Sequence, residues 1–260
     1  MRINTNITAM QSQRQLGQTN RETQEASSKL SSGQRIVKAA DDAAGLAISE
    51  KIKAHIRSGR QVGRNANDGI SLVQTAEGGL NHSTSLLTRM RELAMQSATD
   101  TLGDSDRQNV GFEYEQLKNE LERISQVTEF NGHKLLNGSG SSMDFHVGVG
   151  SAGNEDIISF QANKFNAGAS ALGVMNTSVM SKGMAQSTLG QLDSAFNNIS
   201  GHRSMLGSIQ NRLQNSVSNL DTYNLNMESA NSRIRDVDVA DESSKLARNK
   251  ILENAGTAVA

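Results

Sequence analysis

Toward the C-terminal end of the chain, apolar residues fall at every third or fourth position: Leu206, Ile209, Leu213, Val217, Leu220, Tyr223, Met227, Ala230, Ile234 and Val237. The mean step is about 3.4, close to the 3.5 that defines a left-handed coiled-coil seam. Asn, Ser, Gln and Arg occupy the positions between. The pattern predicts one long helix from about 185 to about 237. A second seam, Ile70, Val73, Ala76, Leu80, Ser83, Leu87, Met90 and Ala94, is widened by Leu72, Leu86 and Leu93 and predicts a helix from about 58 to about 99. A third and shorter seam uses Val110, Tyr114, Leu117, Leu121 and Ile124. The run Ser105-Asp106-Arg107-Gln108 ahead of it has capping-box spacing, which predicts Ser105 as the cap of that helix. Three apolar stripes of this kind can bury one another as a rod-like bundle.

The pattern changes between Asn137 and about Gly183, where Gly, Ser and Asn predominate. Two short alternating runs, Met143 to Val147 and Ile157 to Phe160, are separated by glycines and predict a β-hairpin followed by a loop. The two ends differ again. Residues 1 to about 32 are polar and helix-compatible, with Ile3, Ile7, Met10 and Leu16 as sparse apolar positions. Residues 243–260 carry Leu246, Ile251, Leu252, Ala255, Ala258 and Val259. Neither end buries enough alone to offset its ordering entropy, so the two are expected to pair.

Composition supports this picture. Hydrophobic residues make up 35% and aromatic residues 3% of the 260 positions, with no Trp, Cys or Pro. Without aromatic volume the apolar residues form narrow seams, and without proline long helices can run unbroken. The formal net charge of −1 argues against a general nucleic-acid or anionic-membrane binder. No run approaches the ~20 apolar residues of a membrane span, so no membrane insertion is expected. The start, Met1 to Ile7, has no apolar core of a cleavable signal peptide.

Candidate chemistry is sparse. Gly148 to Gly153 spells GxGxxG, but acidic residues and a strand-like run follow it instead of the helix that a dinucleotide site requires, so it reads as a hairpin turn. The five histidines, His55, His82, His133, His146 and His202, form no metal-ligand spacing. Asp41-Asp42 precedes an Ala-rich stretch and reads as helix capping. Lys53, Arg57, Arg60 and Arg64 share one helix face and read as a solvated or polar packing face. The reading is of a structural protein without catalytic residues, metal or cofactor.

Several ordered motifs carry a resemblance. Ile3-Asn4-Thr5-Asn6, Leu30 to Ile36, Ala40 to Ser49, Arg64 to Ser71, Gln74 to Gly78, Arg91 to Ala94 and Phe130-Asn131-Gly132 occur in order. Gln210 to Leu213, Ser232 to Asp236 and Ile251 to Thr257 follow. Together they closely resemble bacterial flagellins over about residues 1–137 and 185–260. The resemblance implies a mainly α fold, an elongated antiparallel bundle of long helices with coiled-coil-like seams and a small β-hairpin region. It implies a terminal filament-core domain of residues 1–43 with 238–260, and a rod-like domain of 44–237 whose hairpin and loop region at about 137–183 is very short for the family. The function implied is that of a filament subunit, self-assembling into a hollow helical polymer for swimming motility. A hook–filament junction protein is the alternative, and an enzyme with a site in the glycine-rich middle is a more distant one.

The expected subunit-packing seam comprises Ile70, Val73, Leu80, Leu87, Met90, Leu117, Leu121, Ile124, Leu206, Ile209, Leu213, Val217, Leu220, Met227 and Ile234. The expected filament core comprises Ile3, Ile7, Met10, Leu246, Ile251, Leu252 and Val259. By resemblance the partners are further copies of the chain, the flagellar type III export machinery, a flagellin chaperone, and cap and hook-junction proteins, with secretion to the extracellular flagellum. The family resemblance also places an innate Toll-like-receptor patch on Arg89, Leu93 and Glu120, with Thr88 where Gln is frequent. Family members usually continue past Val259, so the C-terminal core helix is expected to run beyond Ala260.

Overall fold

In a computed structural model, residues 6–150, 153 and 155–259 are described, with side chains as far as Ala258. Ile3, Ser151, Ala152 and the Val259 side chain lie outside the described residues. Five long helices dominate: α1 (Ile7–Ser32), α2 (Ala43–Ser97), α3 (Asp104–Val127), α4 (Lys182–Arg235) and α5 (Val239–Val259). Two small antiparallel hairpins complete the fold. One pairs β1 (Glu129–Phe130) with β2 (His133–Lys134), and the other pairs β3 (Ser142–His146) with β4 (Ile157–Gln161). A 3-10 turn, Ala162–Lys164, follows β4. The mainly α architecture is the one the seams predict. The chain forms two compact units: a terminal unit of Met1–Ser58 with Thr222–Ala260, and a central unit of Gly59–Asp221.

In the central unit α3 and α4 both run antiparallel to α2. Arg91 pairs with Asp193 at 3.1 Å and Arg203 with Glu77 at 3.7 Å between α2 and α4. Arg89 pairs with Glu113 at 2.8 Å between α2 and α3. Their apolar stripes meet in one core that includes Val73, Leu80, Leu87, Met90, Tyr114, Leu121, Leu206 and Leu213. The β3–β4 hairpin lies on this core, where a β-carbon at Gly69 would sit 3.1 Å from the Phe145 ring and 3.3 Å from Leu213 Cδ1.

The segment after β4, read from sequence as a loop, is a major part of the core. Ala162, Phe165, Ala167, Ala169, Leu172, Val174 and Val179 are all buried. Polar bonds hold it along α3. The Glu122 carboxylate accepts the Ala169 N–H at 2.8 Å, and Tyr114 shares a 2.6 Å hydrogen bond with Thr177. Burial pushes the Tyr114 hydroxyl up to about 12, chiefly through desolvation. Phe165 stacks on Phe160 and meets the His202 ring edge-on.

Two local expectations need correction. α3 starts at Asp104, not after a Ser105 cap: extended Gly103 is its N-cap, with no side-chain cap bond. The Asp104 carboxylate instead pairs with Arg107 at 2.8 Å. α2 begins at Ala43, about fifteen residues before the start near 58 that its seam predicts. Asp42 sets that start, its carboxylate accepting the Gly45 N–H at 2.8 Å. The capping reading of Asp41-Asp42 thus holds for Asp42, while Asp41 folds back on the linker before it. Asp41 Oδ2 accepts the N–H groups of Val37 and Lys38 at 2.9 and 2.8 Å, and these two bonds hold its carboxyl below the usual range.

Arg107 closes the turn between α2 and α3. It is buried, and its guanidinium donates to the carbonyls of Ser97 at 3.1 Å and Thr99 at 2.7 Å, satisfying carbonyls at the end of α2 that have no helical partner. Arg107→Ala is expected to lower the unfolding free energy by about 2–3 kcal/mol, since it removes charged hydrogen bonds and strands a buried carbonyl. Urea unfolding followed by circular dichroism measures this, and a loss below about 0.5 kcal/mol would argue against the clamp.

Candidate self-assembly interface

The terminal unit pairs α1 with α5. Asn6 caps α1 through a 3.2 Å bond from the Ala9 N–H, and Gly33 ends it in the left-handed conformation with φ of 67°. Asp238 caps α5, accepting the Ala240 N–H at 2.9 Å. Only small or polar side chains are buried between the two helices: Thr19, Ala26, Glu242 and Asn249. The pair is graded along its length. Near the linkers a groove is lined by Glu22, Glu25, Lys29, Glu242, Lys245 and Arg248. Farther along, a more apolar groove of about 310 Å³ is lined by Leu16, Thr19, Leu252, Ala255 and Gly256 among others.

The large apolar side chains of the pair face water. Ile7 is 59% exposed, Met10 48%, Ile251 68% and Leu252 52%, and Leu246 is half-buried. Single exposed apolar residues are ordinary on a protein surface, but four on one helix pair with a nearly featureless interior are not. Each fully buried Ile or Leu side chain is worth about 1.5–3 kcal/mol, so covering these side chains would contribute several kcal/mol. Ile48, Leu225 and Val239 of the same unit are also exposed. Sequence reading did not single out these three, since Leu225 is off the phase of the 206–237 seam and Ile48 and Val239 lie outside the seams.

The seam residues lie mostly inside the chain. Val73, Leu80, Leu87, Met90, Leu121, Leu206, Leu213 and Leu220 are buried in the central core, and Ile70, Leu117, Ile209 and Val217 pack partly against it. Ile124 lines a shallow groove with Thr75, His82 and Val127, while Met227 and Ile234 are half-buried in the terminal unit. Phe112, Met175, Met180 and Met184 are exposed apolar residues of the central unit that sequence reading did not single out.

The receptor patch implied by resemblance is only partly at the surface. Arg89 is held between Glu113 and Glu92, both at 2.9 Å, and these carboxylates raise its already high pKa. Glu120 forms a two-bond pair with Arg123, which lowers its carboxyl. Leu93, at 1% exposure, lies on the inward face of α2 beside Met90 and Ala94. It is a core residue in this chain, and a surface ligand has no access to it.

Elsewhere the chemistry is structural. Gly148 and Gly150 wrap the Asp156 carboxylate, where a β-carbon at Gly148 would overlap it. Gly148 and Gly150 therefore lie in the connection between the paired strands β3 and β4. Among the described residues no group of three or more His, Asp or Glu side chains could hold a metal ion, and no helix is long and apolar enough to cross a membrane.

Long helices that bury their seams internally, with a terminal pair that leaves its large apolar side chains in water, define a helical subunit built for self-association. The sequence profile of the bacterial flagellin N-terminal helical region matches residues 3–141, and that of the C-terminal helical region matches residues 189–260. A flagellin of Halalkalibacterium halodurans is 42% identical over 259 residues, spanning 100% of this chain and 94% of the relative. Flagellin of Bacillus subtilis is 37% identical over 293 residues, spanning 100% and 95%. Among solved structures, Bacillus cereus flagellin superposes with a TM-score of 0.54 at 29% identity, over 60% of this chain and 88% of that one. A candidate flagellar hook-associated protein of Vibrio parahaemolyticus gives a TM-score of 0.61 at 14% identity over 75% of this chain, a likeness of fold alone. The chain belongs to the bacterial flagellin family. It is a structural subunit of the flagellar filament, the self-assembled helical polymer that serves swimming motility.

Proposed function

We propose that the filament is held at its core by the exposed apolar side chains of the α1–α5 pair, with Ile7, Met10, Leu246, Ile251 and Leu252 as the residues buried when subunits add. The observation that supports this is the exposure of Ile7, Met10, Ile251 and Leu252 on two helices whose shared interior is small and polar. Contacts between different patches of successive copies that do not close into a ring generate an open helical polymer. The functional division then falls at the capped linkers, with residues 1–43 and 238–260 as the core domain and 44–237 as the rod. Asp42 and Asp238 cap the helices that start at these boundaries.

By family, the further reading is of a non-catalytic protein secreted to the extracellular flagellum through the type III export channel. A flagellin chaperone would meet it before export, and cap and hook-junction proteins at the two ends of the filament. Electron microscopy after a seeded polymerisation trial tests the core of this reading. Long filaments growing from added seeds are the expected result. Protein that never extends seeds at any concentration would favour the hook–filament junction reading instead.

A further inference from the structure

Both long helices of the terminal unit break where the chain turns into the α1–α5 pair. Residues 33–42 separate α1 from α2, and residues 236–238 separate α4 from α5. The two breaks are stitched together. Gln34 and Asp236 form an isolated antiparallel bridge. The Arg35 N–H donates to the Arg235 carbonyl at 2.6 Å, and the Val237 N–H donates to the Gly33 carbonyl at 3.2 Å. The Arg35 guanidinium adds a 2.8 Å bond to the Ile234 carbonyl, which closes the end of α4.

One side chain reaches every strand of this clasp. The guanidinium of Arg235, last residue of α4, donates to Gln34 Oε1 at 2.9 Å and Ser49 Oγ at 3.3 Å, and pairs with Glu50. Its side chain is 13% exposed. Ser49 passes the contact on, donating to Asn231 Oδ1 at 2.8 Å and so tying α2 back to α4 one turn earlier. The Arg235 bond is the largest cause of the lowered Glu50 pKa, with Lys53 and Arg57 adding to it. A planar fork that satisfies three acceptors in different directions fixes geometry in a way that a lysine cannot.

We propose that Arg235 is a positioning residue for filament assembly, pinning the 33–42 linker to α2 and α4 so that the α1–α5 pair leaves the helix ends in one orientation. The residue contributes no assembly surface itself. It acts by presenting the apolar face of the pair in a single geometry, which spares the incoming subunit the entropy of ordering a swinging arm. The clasp is one that sequence reading could not locate, because its partners lie about two hundred residues apart.

The inference rests on the reading that the terminal pair carries the subunit contacts, and two measurements separate it from that reading. First, hydrogen exchange on the dispersed chain reads the clasp directly. Arg235→Ala is expected to speed exchange at the Arg35 and Val237 amides at least about tenfold, while amides of the central unit keep the parent rate. Second, the critical concentration for seeded growth is expected to rise about tenfold or more, which is about 1.4 kcal/mol. Arg235→Lys should recover less than half of this change, because Lys keeps the charge and loses the fork. Should Arg235→Ala disrupt the helix pair outright, Arg235→Glu combined with Glu50→Arg tests the same contact. Assembly closer to parent than Arg235→Glu alone supports the pin, and no recovery overturns it. Parental exchange and parental critical concentration in Arg235→Ala also overturn it. A parent chain that fails to extend seeds overturns the underlying assembly reading and leaves the exchange result to judge the clasp.

Discussion

Leu87→Asp is expected to abolish the cooperative unfolding transition of the central unit. Leu87 is fully buried in the core that α2, α3 and α4 share. Truncating a buried leucine to alanine costs about 2.7–5 kcal/mol, depending on how far the site collapses. An aspartate adds a carboxyl buried among apolar side chains, worth several kcal/mol more whether it stays charged or takes up a proton. Against a typical domain stability of about 5–15 kcal/mol, the sum leaves little or no folded population. Leu87→Ala should keep a cooperative melt, with the unfolding free energy lowered by about 3–4 kcal/mol. Thermal and urea unfolding by circular dichroism read both. A Leu87→Asp chain that melts like the parent would show that the seam does not carry the fold.

The double change Ile251→Asp with Leu252→Asp should act in the opposite place. Both side chains are more than half exposed, so the dispersed chain should keep its helix content and its melting temperature within about a degree or two. Assembly should fail. Burying two such side chains contributes about 3–6 kcal/mol, and each 1.4 kcal/mol is tenfold, so their loss alone raises the critical concentration at least about a hundredfold. Two desolvated carboxylates on a face shared by successive subunits repel further. Seeded growth measured by light scattering and electron microscopy decides the matter. Filaments growing at the parental concentration would move the assembly surface off α5, while a chain that loses its helices would assign these residues to the monomer fold.

Much of this architecture is legible from residue spacing because the long helices bury local stripes. The seams at 70–94 and 206–237 mark segments of α2 and α4 from sequence alone, as one face of a helix repeats every three to four residues. Legibility ends where contacts are not local. Phe165, Leu172 and Val179 have no common period, and polar anchors such as Glu122 to Ala169 and Tyr114 to Thr177 hold their segment along α3. The β1–β2 hairpin went unread although its signal was present. Asn131 and Gly132 have positive φ of 50° and 79°, the left-handed turn that an Asn-Gly pair adopts most readily. On α5, Ile251 and Leu252 are recognisable from sequence as apolar residues near one end, but only the structure shows that α1 leaves them exposed. Leu93 shows the converse, since motif position suggests an accessible residue and helix phase turns it inward.

The pairing of α1 with α5 also bears on timing. These helices stand at opposite extremes of the sequence, Ile7–Ser32 and Val239–Val259, so closing the pair joins segments with nearly the whole chain between them. Loop closure over that span is slow relative to local helix formation. A chain emerging end first holds one helix of the pair without the other until almost every residue has followed. If the pair carries the subunit contacts as proposed, that face is completed only when the last residues have arrived.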